Sequence, residues 1–437
     1  MALRILLVSG IRPWDPFGGA MRTKVIAGAL AGLGTVDLLV LPLDGKHEEP
    51  PADSVFDRVL TVPQEFSPLD QDRSPARRVT EFLRGTLAAQ IGKTRGAVLE
   101  KAPGWLAGTR YDLVWYMREH VWLMTRGLVS APTVIDVDDL RDVLLARWLS
   151  IGKADRGMEL TPVRRLDMHR VIARWRRIHR RAAQGADVLI YSGQGDLRRS
   201  GFPNSLVVPN TYTPPAGDRV DGGAQTAEER GPGRPTILFQ GVLSYAPNAD
   251  AAAWLVKGIA PLVREEFPDL RVLLAGQSSP RIDALGRSPG VEVTGIVPSM
   301  TPYLRQADLV VAPLRVAGGT RIKILEAFAH RVPVVSTTVG AEGLEVRAGE
   351  HCGIADTTEA IADECVRLLS DRAAARATAD RAHELYDSSY RPEKAAEQVA
   401  RAVDTALSGG RRRRAARIPR GPQNEWTAAR RKPIMGR

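Results

Sequence analysis

The sequence predicts an α/β protein made of two doubly wound, Rossmann-like domains facing across a cleft. Apolar strand-like runs alternate with helix-period segments, and the alternation restarts after a Pro/Gly/charge-rich stretch at 213–235. At 437 residues the chain is also longer than one core ordinarily organises. Fully apolar strands separated by helices are the mark of parallel sheets covered on both faces.

In chain order, the first strands read LRILLVSG, TVDLLVLPL, FDRVLTVP, YDLVWYM, PTVIDV, ADVLIYS and SLVVPN. Helical patterns lie between most of them, notably over 20–33, 76–102, 119–129 and 163–183, which sets a first domain at 1–212. The segment TPPAGDRVDGGAQTAEERGPGRP (213–235) lacks periodicity and reads as a linker. A second domain at 236–388 follows from TILFQGV, LRVLLAG, VEVTGIV, DLVVAPL and VPVVST, with helices from about Ala249, after Gly319 and from Thr358. YRPEKAAEQVARAVDTAL adds an amphipathic helix, bounded at 389–408. Residues 409–437 read as a basic, disordered tail with little apolar surface to pack.

Composition narrows the function classes. The 44% apolar and 25% charged content belongs to a soluble globular protein. No apolar run approaches the ~18 residues that span a bilayer, and the opening MALRILLVSGIRPW resembles a buried strand rather than a signal peptide. Two cysteines, Cys352 and Cys365, make neither a disulfide framework nor a metal site. A reducing cytoplasm is expected, with attachment to the inner face of the plasma membrane as the further option. Of the net +11, residues 411–437 carry nine Arg and Lys432 against Glu425, which leaves only +2 for residues 1–410. The basicity thus belongs to the tail, which could touch anionic lipid or nucleic acid or equally be a solvated terminus with no partner, and no specific nucleic acid is expected. Residues 163–182 contain eight arginines around the stripe Met168, Val171, Ile172, Trp175, Ile178 and Ala182. A solvated basic face is the favoured reading there, ahead of a membrane-surface helix.

The chemistry concentrates in GGTRIKILEAFA, residues 318–329. Thr320 is placed as the N-cap, which makes Arg321 and Lys323 the first and third helical positions. Cations there oppose the helix dipole unless an anion lies between them. Gly318 and Gly319 allow close backbone approach, so glycines, free amides and cations together form a phosphate or diphosphate site. Glu326 follows Lys323 on the same face. An exposed Lys323/Glu326 pair would explain neither the glycines nor the misplaced charges.

Along FQGVLSYAPNADAAAWL, LRVLLAGQ, VEVTGIVPSMTPYLRQADLVVAPL, GGTRIKILEAFAHRVPVVSTTVGAEGL and HCGIADTTEAIADECVRLL, the second domain resembles the retaining GT-B glycosyltransferases of the family 4 type. The resemblance continues more weakly through PFGGAMRTKVIAGALAGLG and VVPNTY, and the late helix looks like the family's crossover helix. It implies transfer of a sugar from a nucleotide-diphosphate donor (UDP-, GDP- or another base) to a hydroxyl acceptor. It implies no cofactor, no metal and no dedicated protein nucleophile. Glu326 matches a glutamate that grips the donor ribose. A partner glutamate expected eight residues earlier is replaced by Gly318, while Gly319 and Thr320 still offer backbone amides. The family's Arg and Lys after the first strand of the second domain are absent from GVLSYAPN. Gly241 remains in that loop as a donor-side residue, and Arg321 and Lys323 are the expected replacements for the phosphate grip. Gly18 and Gly19 match the glycine loop that approaches the diphosphate across the cleft. Gly295 and Val297 bound the strand end that meets the nucleobase.

In TVIDVDDL, Asp138 stands where family members often have an active-site histidine. Asp136-x-Asp138 also mimics a metal-binding D-x-D, and Asp138 or Asp139 capping the next helix is a third reading. Capping combined with a cleft-lining role is preferred. His120, with Arg118 and Glu119, follows another strand end near the cleft. Two other functions stay open on sequence: a nucleotide-sugar epimerase of the same plan, and a catalytically weak sugar-nucleotide binding protein.

Overall fold

The computed structural model describes residues 2–15, 18–42, 47–64, 86–152, 160–215, 234–319 and 321–416. The first sheet is built from β1 (Leu3–Ser9), β2 (Gly34–Val40), β3 (Arg58–Thr61), β4 (Leu113–Met117), β5 (Thr133–Asp138), β6 (Val188–Tyr191) and β7 (Ser205–Val207). Its order is β3-β2-β1-β4-β5-β6-β7. The second contains β8 (Thr236–Gln240), β9 (Arg271–Ala275), β10 (Val291–Gly295), β11 (Leu309–Ala312), β12 (Val334–Ser336) and β13 (Gly353–Ile354), in the order β10-β9-β8-β11-β12-β13. Every pairing is parallel. The two expected doubly wound domains are present.

Helices cover both sheets. They are α1 (Gly18–Ala31), α2 (Thr86–Leu106), α3 (Glu119–Thr125), α4 (Arg141–Ser150), α5 (Pro162–Gly185) and α6 (Gln194–Ser200) in the first domain. In the second come α7 (Ala246–Trp254), α8 (Ala260–Glu266), α9 (Pro280–Asp283), α10 (Thr301–Gln306), α11 (Ile322–Ala329), α12 (Thr338–Ala341), α13 (Thr358–Ser370) and α14 (Arg372–Ser389). A final helix, α15 (Pro392–Ala416), returns to the first domain. It buries Ala395, Val399, Ala402, Val403 and Ala406 in the same cluster as Ile5, Ile26, Leu30 and Trp115. That stripe of mostly small residues lets its backbone lie close to α1, so the end of the chain helps build the first core.

Three boundaries differ from the sequence reading. Helix α7 opens at Ala246, not Ala249, because Pro247 suits the first helical turn. Helix α15 runs past the expected end at 408, through Gly409 and Gly410 into a run of arginine and alanine, which favour helix. Helix α2 extends to Leu106. The linker residues 216–233, residues 76–85, the tail beyond 416 and Thr320 lie outside the described residues.

Strand order reverses between β1 and β4 in one sheet and between β8 and β11 in the other. Ligands of open α/β sheets sit beyond the strand carboxyl ends at such points. Gly10, Arg118, Gly241 and the 313–321 loop follow those four strands.

Candidate functional site

On the second-domain wall, Gly241 and Gly276 bring the ends of β8 and β9 together. Both have positive φ (130° and 124°), and a Cβ at Gly276 would stand 2.0 Å from the Gly241 carbonyl oxygen. The space so made is filled by Lys323 from α11. Its Nζ donates to Asn248 Oδ1 at 2.8 Å, lies 4.0 Å from the Phe239 ring centroid, and sits 3.5 Å from where a Gly241 Cβ would be. Burial lowers the Lys323 pKa to about 7, against the pull of Glu326. Burial likewise raises Glu326 to about 7. Gln240 Nε2 donates to Glu326 Oε2 at 3.4 Å and to the Lys323 carbonyl at 3.0 Å. Lys323 and Glu326 thus form one half-buried, polar step behind the glycine loop.

Arg321 departs from expectation. It is the N-cap of α11, in extended conformation, so the helix starts one residue later than predicted. Its guanidinium turns away from Lys323 and donates to the Val339 carbonyl at 2.7 Å, with Glu342 4.0 Å off. Residues two apart at a helix start point to opposite sides, so the two cations do not converge. Burial brings Arg321 down to about 10. Its Nε is buried with no partner, so this cation buttresses the loop carrying Glu342 rather than sharing a socket with Lys323.

The first-domain wall is a chain of aspartates and arginines. Asp136 pairs with Arg22 at 2.9 Å, and burial pushes its pKa up despite that partner. Arg22 also donates to Asn210 Oδ1 at 2.8 Å and to the Val208 carbonyl at 3.0 Å. Arg118 holds both following carboxylates, Asp138 Oδ2 at 2.7 Å and Asp139 Oδ1 closer still. Burial alone would raise Asp139, but Arg118 outweighs it and keeps the carboxyl below its ordinary range. The capping reading fails: α4 has Leu140 at its N-cap and no side-chain cap. The aspartates are drawn to Arg118 instead. Arg118 (φ 82°) and Asp138 (φ 61°) are both in the left-handed region, a strain usually stored at functional sites. The D-x-D pair, Asp136 and Asp138, is committed to guanidinium partners, and no cluster of metal-ligating side chains occurs among the described residues.

His120 lies beside this wall, edge-on to Trp175 at 5.8 Å between centroids. Burial, with Arg118 and Arg141 nearby, lowers its pKa to about 3, so the ring is neutral. Its Nδ1 is buried and has no partner.

The walls meet. Gly18, the first residue of α1, approaches Ile322, whose Cδ1 would lie 3.5 Å from a Cβ there, and Gly19 follows it in α1. A Cβ at Gly318 would stand 1.9 Å from Asp139 Oδ2, and one at Gly319 (φ 64°) 3.3 Å from Asp138 Oδ1. Arg147 donates to the Ala317 carbonyl at 2.6 Å, and Glu342 is gripped by Arg147 and Arg199 of the first domain. A narrow pocket between the domains is lined by Arg147, Asp196, Gly318, Arg321 and Glu342. On the nucleobase side, Gly295 (φ 70°) faces open space, Val297 is half-buried, and Ile296 is 79% exposed. Sequence reading missed Arg22, Arg147, Arg199 and Glu342. The one local signal was Arg22, a charge on the apolar face of α1.

Residues 234–371 match the family model of the group 1 glycosyl transferases. A Klebsiella pneumoniae protein described as an uncharacterized 44.6 kDa protein in the cps region is 26% identical over 129 residues, covering 28% of this chain and 33% of that protein. The match thus spans a third of that relative's length. Among solved structures, sucrose-phosphate synthase from Thermosynechococcus elongatus superposes with a TM-score of 0.65 at 19% identity, covering 93% of this chain and 99% of that one. HepE of Anabaena, solved with UDP and glucose, gives 0.59 at 14% identity over 92% and 100%. WaaG, a glycosyltransferase involved in lipopolysaccharide biosynthesis, gives 0.56 at 16% over 91% and 99%. The fold is GT-B, and residues 234–371 form a group 1 glycosyl transferase domain.

Proposed function

We propose that this glycosyltransferase moves a sugar from a nucleoside-diphosphate donor to a hydroxyl acceptor, with retention at the anomeric carbon. The observation that carries the reading is Lys323 and Glu326, half-buried together behind a glycine loop at a strand switch point. Glu326 takes the ribose hydroxyls. Lys323 and the amides at the start of α11 take the diphosphate, with Gly18 and Gly19 approaching it from the opposite wall. The strand end at Gly295–Val297 takes the base. As the donor bond breaks, charge builds on the leaving phosphates, and Lys323 is a fixed cation aimed at it. His120, with a neutral ring, and Asp138 line the sugar side. No side chain is assigned as a nucleophile, and no metal is assigned, because Arg22 and Arg118 already neutralise the D-x-D carboxylates.

UDP sugars are the first donors to test, since the HepE structure holds UDP and glucose. A donor panel with detection of released nucleoside diphosphate decides the reading. Release only when acceptor is present supports transfer; epimerised donor without acceptor supports the epimerase alternative.

We further propose peripheral contact with anionic membrane, with an acceptor that is glycan or lipid-linked. On α5, Val163 is 67% and Leu166 54% exposed beside the arginines, of which all but Arg174 are exposed. No described helix is long and apolar enough to cross a membrane. Cosedimentation with vesicles rich in anionic lipid tests this; binding equal to that of neutral vesicles rejects it. Two buried, free cysteines, Cys352 and Cys365, fit a cytoplasmic location.

A further inference from the structure

We infer that Asp139, reaching from the first domain to the backbone of Gly318 in the second, reads the hydroxyls of the transferred sugar. This rests on the donor reading above. A donor with ribose at Glu326 and diphosphate at Lys323 runs toward the start of α11, and its glycosyl group emerges over Gly319 and Gly318. Neither glycine carries a side chain to meet it.

The first domain fills the gap. Asp139 Oδ2 stands 1.9 Å from the place a Gly318 Cβ would occupy, so any side chain at 318 must displace the carboxylate. Glycine and aspartate are a matched pair across the boundary. Arg118 holds Asp139 through Oδ1, which turns Oδ2 toward the second domain. Asp138 is spoken for on both oxygens, by Arg118 at 2.7 Å and Asn210 at 3.3 Å. Arg147, donating to the Ala317 carbonyl at 2.6 Å, pins the residue next to Gly318. An ionised carboxylate is a pure acceptor, suited to a pair of sugar hydroxyls. Because it arrives from the opposite domain, sugar selectivity is assembled only when the domains meet, whereas Glu326 and Lys323, which take the ribose and the diphosphate, both belong to the second domain.

Calorimetric titration of the full chain with UDP and UDP-glucose, and with GDP and GDP-mannose, separates the two. In the nucleotide series that binds, Asp139→Asn should weaken the nucleotide sugar about tenfold or more and leave the bare diphosphate within about twofold, the scale of a lost charged hydrogen bond. Circular dichroism melts check that the variant folds. Gly318→Glu should weaken the nucleotide sugar by clashing with Asp139, and adding Asp139→Gly should restore discrimination by moving the carboxylate to the other wall. Equal losses for diphosphate and nucleotide sugar in Asp139→Asn, or no loss in either, overturn the inference. Failure of the wild type to bind any nucleotide sugar removes the donor reading itself, and this inference with it.

Discussion

Arg147 of the first domain donates to the carbonyl of Ala317 in the second at 2.6 Å, and the same guanidinium grips Glu342. With Arg199 on the other oxygen, one carboxylate joins two helices of one domain to a loop of the other. Gly193 and Gly343 touch beside it, with 2.7 Å between the Cα of Gly343 and an added Cβ at Gly193. This contact ties the two walls of the cleft together.

Glu342→Ala should therefore act on closure more than on stability. Partly exposed ion pairs contribute on the order of 1 kcal/mol or less, so the melting temperature should move little. Turnover should fall about tenfold while donor hydrolysis rises relative to transfer, because closure excludes water. Small-angle scattering with donor present would show a larger radius of gyration than wild type. An unchanged transfer-to-hydrolysis ratio would count against the clamp.

Lys323→Met should depress turnover about a hundredfold, the usual scale for removing a group that meets transition-state charge. Arg321→Met should do less to diphosphate affinity, since Arg321 faces Val339 and Glu342. Burial leaves Lys323 near pH 7 in its titration, so a bound diphosphate should pull a proton onto it. Diphosphate affinity should fall as pH rises above about 7, with proton uptake visible as a buffer-dependent heat. Uptake of the same size in Lys323→Met would contradict the assignment.

Glu326 gives a stability signature. Its folded pKa, about 7, lies above the ordinary 4.5, so the folded state holds the extra proton between those values. That contribution is complete below about 4.5 and is lost as pH rises through 7. Against Glu326→Gln, which mimics the protonated form, wild type should lose melting temperature between pH 5 and 8. A pH-independent difference would be the wrong result.

Gly276→Ala should be among the most damaging single-methyl changes. The residue has φ 124°, and the new methyl would meet the Gly241 carbonyl at 2.0 Å. Strained backbone of this kind costs on the order of 1–3 kcal/mol before the clash is counted. Thermal melts should show the loss, and donor affinity should fall too, because the displaced strand end borders Lys323.

On α5, Val163→Ser with Leu166→Ser should weaken attachment to anionic vesicles about tenfold by removing exposed apolar surface, leaving turnover on soluble acceptors unchanged. Vesicle cosedimentation is the direct measure.

By itself the sequence determined whatever repeats along the chain. Apolar runs alternating with helical stripes specified two parallel sheets, and the glycines with Lys323 and Glu326 marked one wall of the site, because those signals are local. Whatever depends on contact across the cleft was decided by tertiary structure. Arg147 and Glu342 are 195 positions apart, and nothing in either neighbourhood announces the other. Asp138 and Asp139 looked like helix caps until Arg118, about 20 positions earlier, drew their carboxylates away. Arg321 lies on the opposite side from Lys323 because two steps of about 100° separate them, and only the structure shows Val339 and Glu342 receiving it there. The glycine at 318 read as a missing carboxylate in one domain; only the meeting of the domains shows the carboxylate of Asp139 standing in that space.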